Sequence, residues 1–585
     1  MSTNKADKGG CDVSVRIGGE AGQGMKSISS LLGKTFLRAG FHVFVHHDIM
    51  SRIRGGHNFT QIRISDRPAK APSSRVDILV CLDKNTLQLY KDGIDGLIIY
   101  DEGKIRENAP TEKNYLPLPM EAIAEDIGGS SRMANSVASG ALMALTGLSL
   151  DSLTGLLREV FSQKDKKIVK ANEECARVGY EQIKKIYEGP VLCRPDSSGK
   201  AGGHTMLLTG SEAMALGALA SNIRFYSAYP MSPATPIMEY LASKQREFGL
   251  VVEQAEDEIS AINMAIGSFF CGARSMTGTS GGGLALMVEG TSLAGMTETP
   301  VVIVDCQRPA PATGLPTRTE QADLLYVVHC AHGEFPRAVF APGNAEEAFH
   351  AINKAFYLAE RYQIPVFVLG DQFLNDSSWT TEPFNLDFLL PGSQSLLSEE
   401  ELKDMHMYEY VRYAITDSGV SPRLLPGTAN QVLYADSDEH TVEGHITESA
   451  DVRMAMVEKR LRKLSGLKQE MAGPKIFPDD DAESYLVCWG STLEAVDEAV
   501  RNLRETGVNM GYIHFSELFP LEEDPIPRSI TQKARLIGVE NNALGQFCKL
   551  LRMESGLHIK SRILKYDGRP FTPDELIQRL ESRKG

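Results

Sequence analysis

No two of the nine cysteines, at positions 11, 81, 175, 193, 271, 306, 330, 488 and 548, fall within four residues of one another. That scatter excludes a local CxxC-type metal or cluster motif. An odd count spread through a long chain also predicts reduced thiols in a cytosolic protein rather than a disulfide framework. No run of 18 apolar residues occurs, and the opening MSTNKADKGGCD contains no apolar h-region, so the sequence predicts neither a membrane span nor secretion. Basic residues are the minority. The 61 Lys and Arg face 76 Asp and Glu, and the formal charge of -15 argues against a protein that neutralises nucleic-acid phosphates with a basic face. Repeats with a period of 20 to 50 residues and low-complexity tracts are also missing. What remains is an acidic chain of 585 residues, 42% hydrophobic and 23% charged. It is too long for one core, and ~150 residues per domain implies about three or four domains.

The pattern along the chain is α/β. Short apolar strands (Val13 to Ile17, HVFVH, TQIRIS, VDILVCL, GLIIY) alternate with helical stretches such as SISSLLGKTFLRAG, which predicts a layered domain with a largely parallel sheet. Helical sequence follows over about 119–187. Residues 188–204, EGPVLCRPDSSGKAGGH, concentrate Gly, Pro and Ser and read as a linker. A second α/β region opens with LLT and a helix that Ser211 can cap. It continues through RFYSAYP, LVVEQA, DEISAINMAIGSFF, TSGGG, VVIVDC and IPVFVLG. Residues 375 to 480, rich in charged pairs and with one clear helix, VRMAMVEKRLRKL, read as a long surface connection. The remainder is a third βαβ-rich unit. The expected division is thus 1–188, a linker at 189–204, 205–380, a connection at 381–480, and 481–585.

Three blocks carry candidate chemistry. In VEQAEDEISAINMAIGSFF, three acids open a helix: Glu256, Asp257 and Glu258. Acids in a first turn complement the helix dipole, and that suffices to explain any one of them. Helical spacing separates the three. The stripe from Glu258 runs through Ala261, Ile262, Ala265 and Phe269 and is wholly apolar, whereas those from Glu256 and Asp257 carry Ser260, Asn263 and Ser268. Glu258 therefore points at the core, where a carboxylate is costly to ionise without a partner and seeks a group that can share a proton. In AYPMSPATP, residues 228–236, three prolines stiffen a turn after a strand end, and Ser232 and Thr235 offer hydroxyls where α/β sheets bind ligands. In VVIVDCQRPAPATGLPTRTEQ, a buried strand runs into a loop with Arg308, Thr317 and Arg318. Such an arginine suits a bidentate grip on a carboxylate, and equally a surface ion pair.

Weaker signals remain. The GGEAGQG turn, Gly18 to Gly24, lies between strand and helix, so the amides near Gly22 and Gly24 could cradle a phosphate; a tight packing turn explains it equally, and it lacks the GxGxxG order. The TSGGG turn, 279–283, is similarly ambiguous. His46 and His47 alternate on a strand, face opposite sides and make poor joint ligands, so no metal site is predicted.

The three blocks, in this order, resemble the alpha subunit of 2-oxoacid:ferredoxin oxidoreductases. AYPMSPATP is similar to the YPITP-type motif, VEQAEDEISA to the pyrimidine-contacting helix, and QRPAPATGLPT to the substrate-carboxylate loop. IGGEAGQGMKS and RIRGGHNFTQIRIS resemble the gamma domain of the same enzymes, here fused ahead of alpha. SGVSPRLLPG, 418–427, and DEHTVEGHITESADVRMAMVEKRLRKL, 438–464, look like further landmarks, so the likeness spans nearly the whole chain.

The resemblance implies a multidomain α/β chain: a gamma-type domain, then transketolase-like pyrimidine-binding and C-terminal domains. It implies CoA-dependent oxidative decarboxylation of a 2-oxoacid, with electrons passed through iron–sulfur clusters to ferredoxin and thiamine diphosphate held between alpha and beta subunits. Glu258 would hydrogen-bond the pyrimidine N1′ and favour the imino tautomer. Arg308 would hold the substrate carboxylate, helped by Ser232 and Thr317, with Arg318 beside them, while Gly22 and Gly24 would contribute to CoA. Ser232 replaces the usual Thr and Met231 the usual Ile, which leaves the hydroxyl and alters the pocket wall. No GDG-plus-Asn signature and no spaced cysteines are present, so Mg2+ and a [4Fe-4S] cluster are expected on a separate beta subunit. A cytoplasmic dimer of alpha–beta heterodimers follows, with no nucleic-acid or membrane partner. The GHITE-type segment favours 2-oxoglutarate over pyruvate or a broad 2-oxoacid range. A non-catalytic scaffold and a nicotinamide-dependent dehydrogenase are the competing classes.

Overall fold

The computed structural model describes residues 10–20, 22–50, 56–105, 112, 114–193, 205–392, 395–403, 405–406, 410–478 and 482–583. Ala21 of the Gly-rich turn, Arg52 to Gly55 of the second gamma-type motif, and 194–204 of the linker lie outside them. Two compact units emerge. The first contains the chain up to Leu208 together with Ser377–Pro383 and the C-terminal segment from Thr572; the second contains Thr209–Asp376 and Phe384–Phe571.

The first unit is built on an eight-stranded sheet. From edge to edge it runs Tyr115–Pro117, Leu97–Tyr100, Ile78–Cys81, Asp12–Glu20, His57–Ser65, His42–Asp48, Ser378–Thr381 and Met206–Thr209. The expected parallel sheet is realised only from Asp12–Glu20 to Tyr115–Pro117. His57–Ser65 pairs antiparallel with both neighbours. The reason is local: too few residues separate His42–Asp48 from His57–Ser65 to hold a crossover helix, which leaves antiparallel pairing. Helices Met120–Gly128, Ala134–Thr146, Leu150–Val160 and Lys166–Ile186 fill the predicted helical stretch. The reading of thiols throughout needs one correction. Cys11 is bonded to Cys193 with Cα atoms 5.0 Å apart, and the other seven cysteines are free. A separation of 182 residues hides such a pair from any spacing rule.

The second unit contains a seven-stranded sheet in the order Glu517–Phe519, Ala338–Phe340, Pro365–Asp371, Val301–Gln307, Ser275–Thr279, Phe225–Ala228 and Val251–Gln254. All pairs are parallel except the one at Glu517–Phe519. Val301–Gln307 and Pro365–Asp371 are buried at every position, as central parallel strands covered on both faces require. A five-stranded sheet, Lys475–Phe477, Met510–Phe515, Ser484–Trp489, Arg535–Glu540 and Ser561–Leu564, completes the unit. The two sheets share one hydrophobic cluster, in which Ile303, Val339 and Phe367 join Val487, Trp489 and Phe515.

Two local expectations change. The helix Gly210–Ala220 is capped by Thr209, not Ser211, because Glu212 at the third position returns a bond to the Thr209 amide and closes a capping box. Ser211 is buried instead and accepts from Asn375 at 3.1 Å. The segment read as a surface connection is partly interior. Its helix Ala450–Glu470 buries Met456, Lys459, Arg460, Lys463 and Leu467. The cations tolerate this because Glu298 meets Lys459 and Lys463 at 2.6 and 2.5 Å, and Glu439 meets Arg460 at 2.7 Å. No described helix is long and apolar enough to cross a membrane.

Candidate active site

The carboxyl ends of four neighbouring parallel strands feed the predicted blocks. Phe225–Ala228 leads into the Pro-rich turn, Val251–Gln254 into the acid-headed helix, Ser275–Thr279 into the triple glycine, and Val301–Gln307 into Arg308. This is the edge at which open α/β sheets bind ligands.

Helix Glu258–Phe270 starts cleanly because Asp257 caps it, accepting from the Ser260 amide at 2.7 Å. Glu256 stays outside the helix and takes the Ser260 hydroxyl at 3.1 Å. The three acids thus have three different environments. Glu258 is 3% exposed and its apolar stripe is fully buried. Its Oε1 has no hydrogen-bond partner among the described residues. The Ser227 hydroxyl, bonded to the Ala261 carbonyl at 2.6 Å, ties the strand to this helix. On the other side lies the short helix Gly281–Leu284. A Cβ on Gly283 would stand 2.5 Å from Glu258 Oε1 and would overlap the Thr279 hydroxyl, so only glycine lets the carboxyl occupy this place. Sequence reading left the triple glycine between a phosphate cradle and a packing turn. Its signal was three glycines directly after a buried strand.

Arg308 is 8% exposed and donates from Nη1 to the Ser232 carbonyl at 2.7 Å. The Arg308 loop and the Pro-rich turn are therefore one assembly. Burial lowers the Arg308 pKa, and the nearby Asp323 opposes that. Ser232 and Thr317 are half-buried and Arg318 is buried. The loop that carries them is pinned by the five-stranded region. Gln321 donates its amide to Asn541 at 2.8 Å and its side chain to Trp489 at 2.9 Å, and accepts from the amide of Asn541 and the side chain of Asn542. Sequence reading missed this network, since its partners lie 168 to 221 positions away.

It also missed a set of buried acids. Asp305, inside the strand Val301–Gln307, is fully buried with both oxygens unpartnered among the described residues. Burial and Asp323 push its pKa well above the usual carboxylate range. Burial raises Asp323 to about 6 and Glu320, next to Asp323, to about 7. An acid within the apolar run VVIVDC was the visible signal.

Gly22 and Gly24 lie in the first unit. Both have positive φ, 94° and 74°, which favours glycine, and Gly24 precedes helix Met25–Arg38. They border a cavity of about 880 Å³ that Lys26, Lys104, Asn135 and Arg132 also line. Among the described residues, no group of three or more His, Cys, Asp or Glu is placed to hold a metal ion.

Comparison with known proteins decides the family. Residues 216–459 match the model for the thiamine diphosphate-binding domain of pyruvate flavodoxin/ferredoxin oxidoreductases, and residues 14–182 match that for pyruvate ferredoxin/flavodoxin oxidoreductase. The alpha subunit of 2-oxoacid:ferredoxin oxidoreductase from Sulfolobus sp is 30% identical, with 96% of each chain aligned. The chain belongs to the 2-oxoacid:ferredoxin oxidoreductase alpha-subunit family. It is an oxidoreductase subunit, as the motifs imply. Among other members, the 2-oxoglutarate oxidoreductase subunit KorA of Mycobacterium tuberculosis is 28% identical over 97% of this chain and 90% of its own. The solved 2-oxoglutarate:ferredoxin oxidoreductase from Magnetococcus marinus, with 2-oxoglutarate, coenzyme A and succinyl-CoA bound, superimposes with a TM-score of 0.89. It is 28% identical, covering 98% of this chain and all of that one. The α/β multidomain fold of this 2-oxoacid:ferredoxin oxidoreductase subunit is thereby shared along the whole chain.

Proposed function

We propose that the chain is the alpha subunit of a cytoplasmic, thiamine diphosphate-dependent 2-oxoglutarate:ferredoxin oxidoreductase. It would form succinyl-CoA and CO2 and pass electrons to ferredoxin. The observation that carries this reading is Glu258, a buried carboxyl with an oxygen unpartnered among the described residues, held by an apolar helix face at the carboxyl edge of the sheet. Such an oxygen suits a ring nitrogen that shares a proton, and the aminopyrimidine of thiamine diphosphate supplies one. When bound, that cofactor provides the nucleophilic carbon and the electron sink for decarboxylation. Glu258 holds the proton at Oε1 in a setting from which water is excluded. Arg308 grips the substrate carboxylate, with Ser232, Thr317 and Arg318 lining the same pocket.

Gly22 and Gly24 are proposed to take part in CoA binding, because amides at the N-terminus of a 14-residue helix beside Lys26 and Arg132 suit phosphate groups. The metal–diphosphate site and the [4Fe-4S] cluster are assigned to a beta subunit, in a dimer of alpha–beta heterodimers. The 2-oxoglutarate assignment rests on the KorA relative and the Magnetococcus marinus structure. Co-expression with the beta partner and a viologen-reduction assay over a panel of 2-oxoacids, with CoA present, tests it. Clear preference for pyruvate overturns the substrate; unchanged turnover in Glu258→Ala overturns the catalytic reading and favours a scaffold.

A further inference from the structure

With Arg308 taken as the grip on the substrate carboxylate, we propose that Asp371 is the positioning residue that closes the base of the Arg308 loop and so fixes where the 2-oxoacid binds. The loop leaves the sheet at Gln307, whose partner on the neighbouring strand is Asp371. It comes back at Thr319, whose hydroxyl donates to Asp371 Oδ1 at 3.2 Å. One residue thus meets both ends of the excursion that carries Arg308, Thr317 and Arg318. Between those ends, residues 310–315 are exposed, so packing does not hold the tip. The place of the arginine is decided at the base of the loop and by its own bond to Ser232.

Asp371 is 2% exposed and ends the strand Pro365–Asp371. An aspartate that accepts from an amide three residues on is an ordinary helix cap, and the Leu374 amide, donating to Oδ1 at 2.9 Å, gives Asp371 that role at the start of helix Gln372–Asp376. A cap explains one bond only. The Thr319 hydroxyl also reaches Oδ1, and the Ser491 hydroxyl donates to Oδ2 from the short turn Gly490–Thr492. A carboxylate buried this far needs several donors, and here they come from three separate segments. Thr319 is fixed as firmly. It is 2% exposed, its hydroxyl accepts from the Phe373 amide at 3.2 Å, and its own amide donates to the Gly568 carbonyl at 3.3 Å. Thr319 cannot slide without breaking a buried bond, and Thr317 and Arg318 directly precede it. Removing its hydroxyl therefore frees the return of the loop without deleting any group assigned to the substrate.

The test uses the complex with the beta partner and 2-oxoglutarate as probe, with kcat and the KM values for 2-oxoglutarate and CoA measured for each variant. Thr319→Val keeps the shape and removes the hydroxyl, so the KM for 2-oxoglutarate should rise about tenfold while kcat and the KM for CoA stay within about twofold. Thr319→Ser keeps the hydroxyl and should return the KM to near the wild-type value. In Asp371→Asn, Oδ1 still accepts but without the charge, so the KM should rise by less, about threefold. Adding Thr319→Val to Asp371→Asn should then cost less than the same change costs in the wild type. A wild-type KM in Thr319→Val overturns the proposal, as does a Thr319→Ser as impaired as Thr319→Val. Equal fold-changes for Thr319→Val in both backgrounds overturn it too, because the hydroxyl and the carboxylate would then act separately. Failure of Thr319→Val to assemble with the beta partner has the same force, since the hydroxyl would then serve the fold and not the substrate. Arg308→Gln separates the two levels: an unchanged KM there sinks the Arg308 reading itself, whereas a raised KM there beside a wild-type KM in Thr319→Val sinks only the role of Asp371.

Discussion

Arg308 donates a 2.7 Å hydrogen bond to the backbone carbonyl of Ser232. That bond joins loops from two strands, Phe225–Ala228 and Val301–Gln307, which are separated in the sheet by Ser275–Thr279. It uses one of the five N–H donors of the guanidinium and orients the rest.

Replacing that guanidinium tests its role directly. Arg308→Lys keeps a charge but loses the planar fork, so the KM for the 2-oxoacid should rise roughly tenfold or more while the KM for CoA holds. Steady-state kinetics of the reconstituted complex would show this. Equal rises in both constants would mean that the loop, rather than the grip, had been damaged.

Gly283 makes a sharper test of Glu258 than mutation of the acid itself. The new methyl group of Gly283→Ala would overlap the Thr279 hydroxyl and stand 2.5 Å from Glu258 Oε1. Displacing the carboxyl by about 1 Å should lower kcat on the order of 100-fold with the fold retained. Circular dichroism and kcat, measured together, distinguish this from unfolding.

Glu298 should matter for stability rather than chemistry. Burial alone would raise its pKa, but Lys463, Lys459 and Arg412 overcome this and hold the carboxyl well below the usual range. Its folded pKa lies below its unfolded one, so its contribution is present above the unfolded carboxylate range, near ~4.3, and is lost as pH falls beneath it. Glu298→Ala leaves buried cations uncompensated and should cost about 3–5 kcal/mol. Denaturant unfolding at pH 7 measures the loss. A smaller deficit in Glu298→Leu combined with Lys463→Met would identify the unpaired charge as its source.

Gln321→Ala removes the side chain that accepts from the Asn541 amide and donates to the Trp489 carbonyl; the buried Asn541 amide loses its acceptor, while the Trp489 carbonyl keeps the Thr492 hydroxyl. A cost of about 1–3 kcal/mol is expected. Because the same segment leads to Arg318 and Thr317, the KM for the 2-oxoacid should rise with it. A stability loss without any kinetic change would show that the loop keeps its place without this network.

Much of the site was legible in advance because helical and strand periodicities are local. Glu258, and not its two acidic neighbours, was assigned to the core from the spacing of Ala261, Ile262, Ala265 and Phe269. Asp257 and Glu256 proved to be a cap and a solvent-side partner. The Pro-rich turn and the Arg308 loop were placed at strand ends by the same logic. Local reasoning failed where the partner is distant. Ser211 lost the cap to Thr209 because Glu212 completed a box, and the cationic face of Ala450–Glu470 looked solvated because Glu298 lies more than 150 positions away.

The sequence by itself determined the α/β character, the strand-end placement of the three candidate blocks and the core-facing direction of Glu258, since each depends on residues within one or two turns of one another. Tertiary structure alone decided which oxygen would be left without a partner. It also decided which glycine makes room for that oxygen, that Cys11 meets Cys193, and that Asp305 is fully buried within its strand. Those facts depend on desolvation and close approach, and both are set by segments that only folding brings together.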